Sequence, residues 1–383
     1  MRLAKPKPVS ARPRICWILD DTDRSGDTAR LHAVLGEETL ARRFDRHVIS
    51  LAPPGAMAIE IQSAGAALHA AHEVHGEWGL ARSGATLLRT MHLLKGLRPD
   101  VVHATGAAAA LIGTAAARLA GVPRVVASPH GEQRTPELVR LTLSWALRSA
   151  DLVLGATQAH AQLLASRHGI TEGKLRVSGL LAATHRCAHQ VVIPELAGGP
   201  RLVSLLRFHP QENLMWVLDS IEILRRFHPG VCWTIFGRGV AGAPLLAAAR
   251  ARGLEAALRI PGETDDPLGA LLAADIFVQP RRTEHPLQAL LEAMHAGRPI
   301  VSVDGPGVRA VMEDGREGLI VPHAPPSLLA DAVDRLLMSK PLREDCARRA
   351  QERAHVSWRA ARCAEEWAGF YSELAGRALS FAV

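Results

Sequence analysis

The chain has no apolar run of the roughly 18 residues that a membrane-crossing helix needs, which excludes a helical membrane span. Its first stretch, MRLAKPKPVSARPR, lacks the apolar centre of a secretion signal and reads as a flexible basic arm, residues 1–14, of a cytoplasmic protein. Aromatic residues make up 4% of the sequence, with one tyrosine, so the bases of a nucleic acid would find few rings to stack on. The cysteines, Cys16, Cys187, Cys232, Cys346 and Cys363, are scattered, with no CxxC and no Cys/His cluster at metal-ligand spacing. Reduced, buried thiols and no bound metal are expected. No exact repeat appears, and no low-complexity tract exceeds the alanine-rich stretch near residue 110.

What is present is a globular composition of 48% hydrophobic and 22% charged residues over 383 positions, a length that favours two domains. The formal charge of +7 rests mostly on arginine. Such a surplus suits nucleic acid, anionic lipid or a phosphorylated substrate, and equally an arginine-rich solvated surface, so it selects none of them. Nucleic acid has this charge alone in its favour and is not expected as a partner.

Short β-branched apolar runs alternate with longer helical patterns, the mark of parallel sheets built from βαβ units. RICWILDD, RHVISLAP, DVVHATG, RVVASPHG, DLVLGAT and KLRVSGL read as strands of a first domain, residues 15–180. Between them, segments such as TARLHAVLGEETLARRF and AAAALIGTAAARLAG read as helices. The stretch LAATHRCAHQVVIPELAGGP then breaks the pattern with weak periodicity, two prolines and a glycine pair, which places a linker at 181–199. RLVSLLRF, VCWTIFGRG, LRIPGET, DIFVQP, PIVSVDG and GLIVP restart it as a second domain, residues 200–355. Open parallel sheets bind ligands beyond the carboxyl ends of their strands. The fold expected is therefore α/β, two doubly wound Rossmann-like domains facing each other across a cleft.

One segment carries chemistry. DIFVQP leads into TEHPLQALLEAM, residues 283–294, where a helix opens near Pro286, proline being well tolerated in a first turn. Free backbone N–H groups and the positive end of the helix dipole favour an anion there, most naturally a phosphate. Glu284 stands just before the helix and Glu292 about two turns along it, roughly 12 Å away at 1.5 Å per residue. A carboxylate accepts two hydrogen bonds as a fork and so suits a vicinal diol. The spacing fits one extended ligand with hydroxyls at both ends and phosphates between, which describes a nucleotide sugar; two solvated glutamates beside a packed stripe of Leu287, Leu290 and Leu291 are the plainer alternative.

Together with the following HAGRPIV and DGPGVRAVMEDGREGLIVP, this segment resembles the donor domain of the retaining GT-B glycosyltransferases of family 4, over residues 201–340. The resemblance implies a metal-independent transfer of a sugar from a nucleotide-diphosphate donor to an acceptor hydroxyl, with no cofactor beyond that co-substrate. It implies that Glu284 contacts the donor sugar and Glu292 the ribose, with backbone amides near Leu287 and Gln288 on the phosphates. Arg207, at the end of RLVSLLR, matches the arginine that neutralises the diphosphate, while Glu212 stands where the family has its lysine; Arg238 and His209 are the conceivable substitutes. His285 and Pro286 replace two glycines that normally allow close backbone approach to the phosphates, and Pro286 removes an N–H donor. Gly237 and Arg238 of FGRG fit the family's loop near the base.

In the first domain, the resemblance assigns His130 of SPHGE to the reacting sugar, and less firmly His103 of DVVHATG, for which closing the preceding strand is the favoured reading. DDTDRSGDTARLH stands where the family carries a Gly-rich loop. Gly26 alone remains there, consistent also with an ordinary turn capped by Ser25 or Asp27. Asp20, Asp21 and Asp23 either receive an acceptor proton or are merely solvated, the second being favoured. VSWRAARCAEEWAGFYSEL resembles the terminal helix, residues 356–376, that crosses back to the first domain, with Trp358, Trp367 and Tyr371 as packing residues. A glycan or lipid-linked acceptor in surface polysaccharide or glycolipid synthesis follows from the resemblance. So does work at the cytoplasmic face of the membrane, where the basic arm or LVRLTLSWALRSAD, with Trp145 and Leu147, meets anionic lipid unless that helix faces the core. The altered residues motivate an alternative, a catalytically impaired relative that binds nucleotide sugars as a partner protein.

Overall fold

The structure is a computed structural model that describes residues 12–23, 26–71, 80–129, 137–178, 199–208, 214–239, 242–264, 266–282 and 288–380. The chain divides into two compact units, one drawn from Met1–Leu180 and Ala360–Val383, the other from Leu181–Arg359.

The first unit is built on a seven-stranded sheet: β1 (Arg14–Leu19), β2 (Asp45–Ser50), β3 (Ala67–Ala70), β4 (Val101–Thr105), β5 (Arg124–Ser128), β6 (Leu152–Gly155) and β7 (Leu175–Val177), in the order β3-β2-β1-β4-β5-β6-β7. The second has six: β8 (Arg201–Arg207), β9 (Cys232–Arg238), β10 (Leu258–Gly262), β11 (Ile276–Gln279), β12 (Ile300–Val303) and β13 (Leu319–Val321), ordered β10-β9-β8-β11-β12-β13. Every pairing between these strands is parallel. Strands covered by helices on both faces have no polar face to keep, which is why Ile15, Cys16, Trp17 and Ile18 run consecutively at zero exposure. The doubly wound α/β expectation holds for both units. Strand order reverses between β1 and β4 in one sheet and between β8 and β11 in the other. In open parallel sheets such a reversal is where ligands bind.

Three local features depart from the sequence reading. β3, an alanine-containing strand (ALHA) at the sheet edge, carries too little β-branched character to stand out. TARLHAVLGEETLARRF is two helices, Gly26–Leu35 and Glu38–Arg43, interrupted around Gly36. The alanine-rich stretch opens as a π-helical turn, Ala109–Gly113, before the α-helix Thr114–Ala120. Cys16, Cys232, Cys346 and Cys363 are buried free thiols, as expected; Cys187 lies outside the described residues.

The last helix, Ala360–Ser380, is tied into the first unit by a buried polar chain. Trp17 Nε1 donates to the Tyr371 hydroxyl at 2.9 Å, and that hydroxyl lies 2.6 Å from His103 Nδ1. His103 Nε2 in turn lies 2.7 Å from Ser128 Oγ. An indole nitrogen only donates, so the Tyr371 oxygen accepts from Trp17, and the two imidazole nitrogens divide one donor and one acceptor role between Tyr371 and Ser128. Burial holds the phenol well above its ordinary pKa, so it stays a donor. Trp17, His103 and Tyr371 have no exposed surface, so each link has to be made inside the protein. Tyr371→Phe, which strands an indole N–H and an imidazole nitrogen, is expected to lower stability by about 2 kcal/mol in denaturant unfolding. A loss within measurement error would show that the hydroxyl does not hold the helix.

Candidate functional site

The second sheet's switch point sets the site. β11 is buried along its length and ends at Gln279, after which the chain reaches the helix Gln288–His295. Leu290, Leu291, Ala293 and Met294 form that helix's buried face, with no exposed surface. Gln288 and Glu292 sit one turn apart off that face, and Gln288 Nε2 donates to Glu292 Oε1 at 3.2 Å. The Glu292 residue keeps a partly accessible surface while its carboxyl is withdrawn from bulk water. Desolvation lifts its pKa from 4.5 to about 7, opposed by the Gln288 hydrogen bond. Gln288 Oε1 is buried with no hydrogen-bond partner among the described residues. The same is true of Gln279 Oε1 at the end of β11, a fully buried residue. Acceptors left bare at a strand end cost stability unless something else supplies the donors.

Beside it, the register of β8 and β9 sets Leu206 opposite Gly237 and Arg207 opposite Arg238, so two arginine backbones end neighbouring strands. Gly237 has φ +153°, and a Cβ there would lie 1.8 Å from the Leu206 carbonyl oxygen. Gly239, at φ +135°, would meet the Phe208 oxygen at 2.1 Å. FGRG therefore carries its glycines because the end of β9 presses onto the end of β8. Packing accounts for Gly237 without any ligand. The side chains of Arg207 and Arg238 are not among those described, and Glu284, His285, Pro286, Leu287, Glu212, His209 and His130 lie outside the described residues.

At the first sheet's switch point the expectations need correction. His103 does not face a ligand; it is fully buried mid-strand in β4, with Tyr371 and Ser128 at its two nitrogens. Gly26 begins the helix Gly26–Leu35. Asp20 is not a solvated acid: its Oδ1 accepts from Ala109 N at 2.6 Å. Desolvation first, with the nearby charge of Asp27, raises its pKa to about 7 against the amides of Ala109 and Ala108. Gly106, at φ +107°, makes room for it, since a Cβ there would stand 2.7 Å from the carboxyl group. The Asp20–Gly106 contact was missed, although a glycine directly after a strand and the first acid after β1 were its signals. Gln279 was missed as well, and a lone amide inside DIFVQP was its only sign. Among the described residues no cluster of three His, Cys, Asp or Glu side chains is arranged to hold a metal ion.

Two family models match the chain: Glycosyltransferase Family 4 over residues 33–178 and Glycosyl transferases group 1 over residues 199–339. The chain is 33% identical to the phosphatidyl-myo-inositol mannosyltransferase of Mycobacterium leprae over 39% of its own length and 42% of that protein's. It is 28% identical to the alpha-D-kanosaminyltransferase of Streptomyces kanamyceticus over 46% of each. The matches thus span less than half the length of these relatives. Anabaena Alr3699/HepE, solved in complex with UDP-glucose, shares the fold with a TM-score of 0.76 at 16% identity, covering 94% of this chain and 99% of that one.

Glu292 also sets a pH dependence. The folded protein holds this proton up to about pH 7, whereas an ordinary glutamate gives it up near 4.5. The cost of ionising it in place is absent below pH 4.5, grows between the two values and is complete above pH 7. Glu292→Gln keeps an acceptor for Gln288 without the charge. It is expected to be more stable than the native chain at pH 8, by about 3 kcal/mol, and to match it near pH 4.5. An equal difference at both pH values would contradict the desolvated carboxyl.

Proposed function

We propose that this chain, which belongs to the group 1, family 4 glycosyltransferases, transfers a sugar from a nucleotide-diphosphate donor to an acceptor hydroxyl, with retention and without a metal. The observation that carries the reading is the Gln288–Glu292 pair on the helix after β11, with a carboxyl near pKa 7 and, beside it, an amide oxygen that has no partner among the described residues. Ionised Glu292 accepts hydrogen bonds from the ribose hydroxyls and gains in strength from the low local dielectric. The donor's phosphates lie towards the helix start, within reach of the strand ends that carry Arg207 and Arg238. The amides near Leu287 and Gln288 hold those phosphates, Glu284 and His130 hold the reacting sugar, and His285 and Pro286 shape the turn between.

The bond from the anomeric carbon to the phosphate oxygen breaks, and the acceptor oxygen bonds to that carbon on the same face. The acceptor's proton passes to the departing diphosphate, which leaves a glycoside and a nucleoside diphosphate. A glycan or lipid-linked acceptor in surface polysaccharide or glycolipid synthesis, met on the cytoplasmic side of a membrane, suits this chemistry. Glu212, where a cation would serve the diphosphate, favours a second reading: a relative that binds nucleotide sugars without turning them over.

A thermal-shift panel of nucleotides and nucleotide sugars tests the first step, since a ligand at 100 times its Kd stabilises by about 2.7 kcal/mol. One nucleotide series is expected to stand out, and Glu284→Ala to abolish transfer or donor hydrolysis; turnover that survives this change removes Glu284 from the mechanism. No response to any nucleotide would end the reading, while tight binding with no turnover under every acceptor would favour the second. Glu212→Lys is expected to strengthen diphosphate binding, and unchanged affinity would place that side chain outside the site.

A further inference from the structure

Exposed large apolar side chains are scattered singly over most of the described surface, but the helix Glu137–Ser149 (ELVRLTLSWALRS) carries four of them. Leu138 is 71% exposed, Leu141 53% and Trp145 53%, with Val139 beside them at 38%. Positions 138, 141, 145 and 148 follow the three- and four-residue steps of one helix face, so the stripe reads Leu, Leu, Trp, Arg. The opposite face, Leu143, Ala146 and Leu147, is buried in the first unit's core. Trp145 and Leu147, paired in the sequence reading, therefore part: Leu147 packs inward and Trp145 points out.

We propose that this outer face docks on an anionic lipid bilayer. The charges around it decide between occupants. Arg148 continues the apolar stripe and is exposed. Lys174 Nζ donates to the Arg148 and Ala150 carbonyls at 2.8 and 3.0 Å, and exposed Arg176 follows on β7. Among the described residues the acids nearby are few: Glu137 is paired with Arg140 at 3.1 Å, and Asp151 with Arg118 and Arg124. Glu172 is exposed on the turn before β7. A second copy of this chain would bring the same basic edge against its own, and the three main apolar side chains are far short of the roughly 800 Å² per partner of a stable protein interface. A lipid surface of negative charge complements both features: leucines enter the acyl boundary, the indole sits at headgroup level and the cations meet phosphates. No described helix is long and apolar enough to cross the membrane, so contact of this kind is interfacial. Docking deepens the transfer reading by giving it a lipid-linked acceptor class, and it rests on that reading for this point alone.

Co-sedimentation of the full chain with vesicles of phosphatidylglycerol and phosphatidylcholine in equal parts, and of phosphatidylcholine alone, tests the proposal. The native chain is expected to bind the anionic vesicles, less in high salt, and to stay in solution with the neutral ones. Leu138→Ser with Trp145→Ser is expected to weaken binding roughly tenfold or more with unchanged melting, because both side chains are exposed. Arg148→Glu reduces it through charge alone, and nucleotide binding persists in all variants. A native chain that ignores anionic vesicles, or a double variant that binds as well as the native one, would overturn the proposal. So would dimerisation in light scattering that the double change abolishes without vesicle binding. Vesicle binding in a chain that binds no nucleotide would leave docking standing and remove the transfer reading.

Discussion

A carboxyl group taken out of water must be neutralised, paired or kept for a ligand, and the second unit is arranged around one such group. Glu292 has one described side-chain donor, the amide of Gln288. Asp20, at the equivalent reversal of the first sheet, offers the contrast. Its pKa is also near 7, yet it accepts from backbone N–H groups at the start of the alanine-rich helical stretch, and Gly106 is shaped to it. Asp20 spends its acceptors on the fold; among the described residues Glu292 accepts from the Gln288 side chain alone. Burial thus raises both carboxyl pKa values, beside backbone amides in one unit and beside a single side-chain amide in the other.

The scaffold explains why Glu292 is there. The strand order of the second sheet reverses between β8 and β11, and a reversal of that kind is where open parallel sheets take their ligands; Glu292 stands on the helix that follows β11. Gly237 and Gly239 let the end of β9 lie against β8, which brings the backbones of Arg207 and Arg238 to the same edge. Below this edge, Trp233 donates to Ser204 Oγ at 2.8 Å, and that hydroxyl donates to the Val278 carbonyl at 2.5 Å. In the first unit, Trp17, Tyr371, His103 and Ser128 join β1, β4, β5 and the last helix in the same manner. Polar links between neighbouring strands hold the strand ends in one arrangement.

Most of the fold was legible because fully buried parallel strands announce themselves as β-branched runs, as in WIL, VVH and IFV. β3 escaped because ALHA has no such run and pairs only at an edge. Glu292 was singled out by its place on the helix after DIFVQP, eight positions past Glu284, but the donation from the Gln288 side chain to it was not foreseen. It was illegible where tertiary placement decides the role. His103 looked like a strand-end histidine until Tyr371, far along the chain, was seen to take its Nδ1. Asp20 looked solvated because nothing local reveals that Ala109 donates to it. Trp145 and Leu147 are two residues apart, and only the packing of their helix shows which one is buried.

The central claim is that Glu292 awaits a hydroxyl-bearing ligand and must ionise to hold it. Calorimetric titration with the nucleotide that binds, repeated at pH 6.5 in buffers of different ionisation enthalpy, measures this directly. With its pKa near 7 the free carboxyl is mostly protonated at that pH, so binding is predicted to release a proton, and the release to vanish in Glu292→Gln. Nucleotide binding with no proton released, or with the same release from the glutamine variant, would contradict the account.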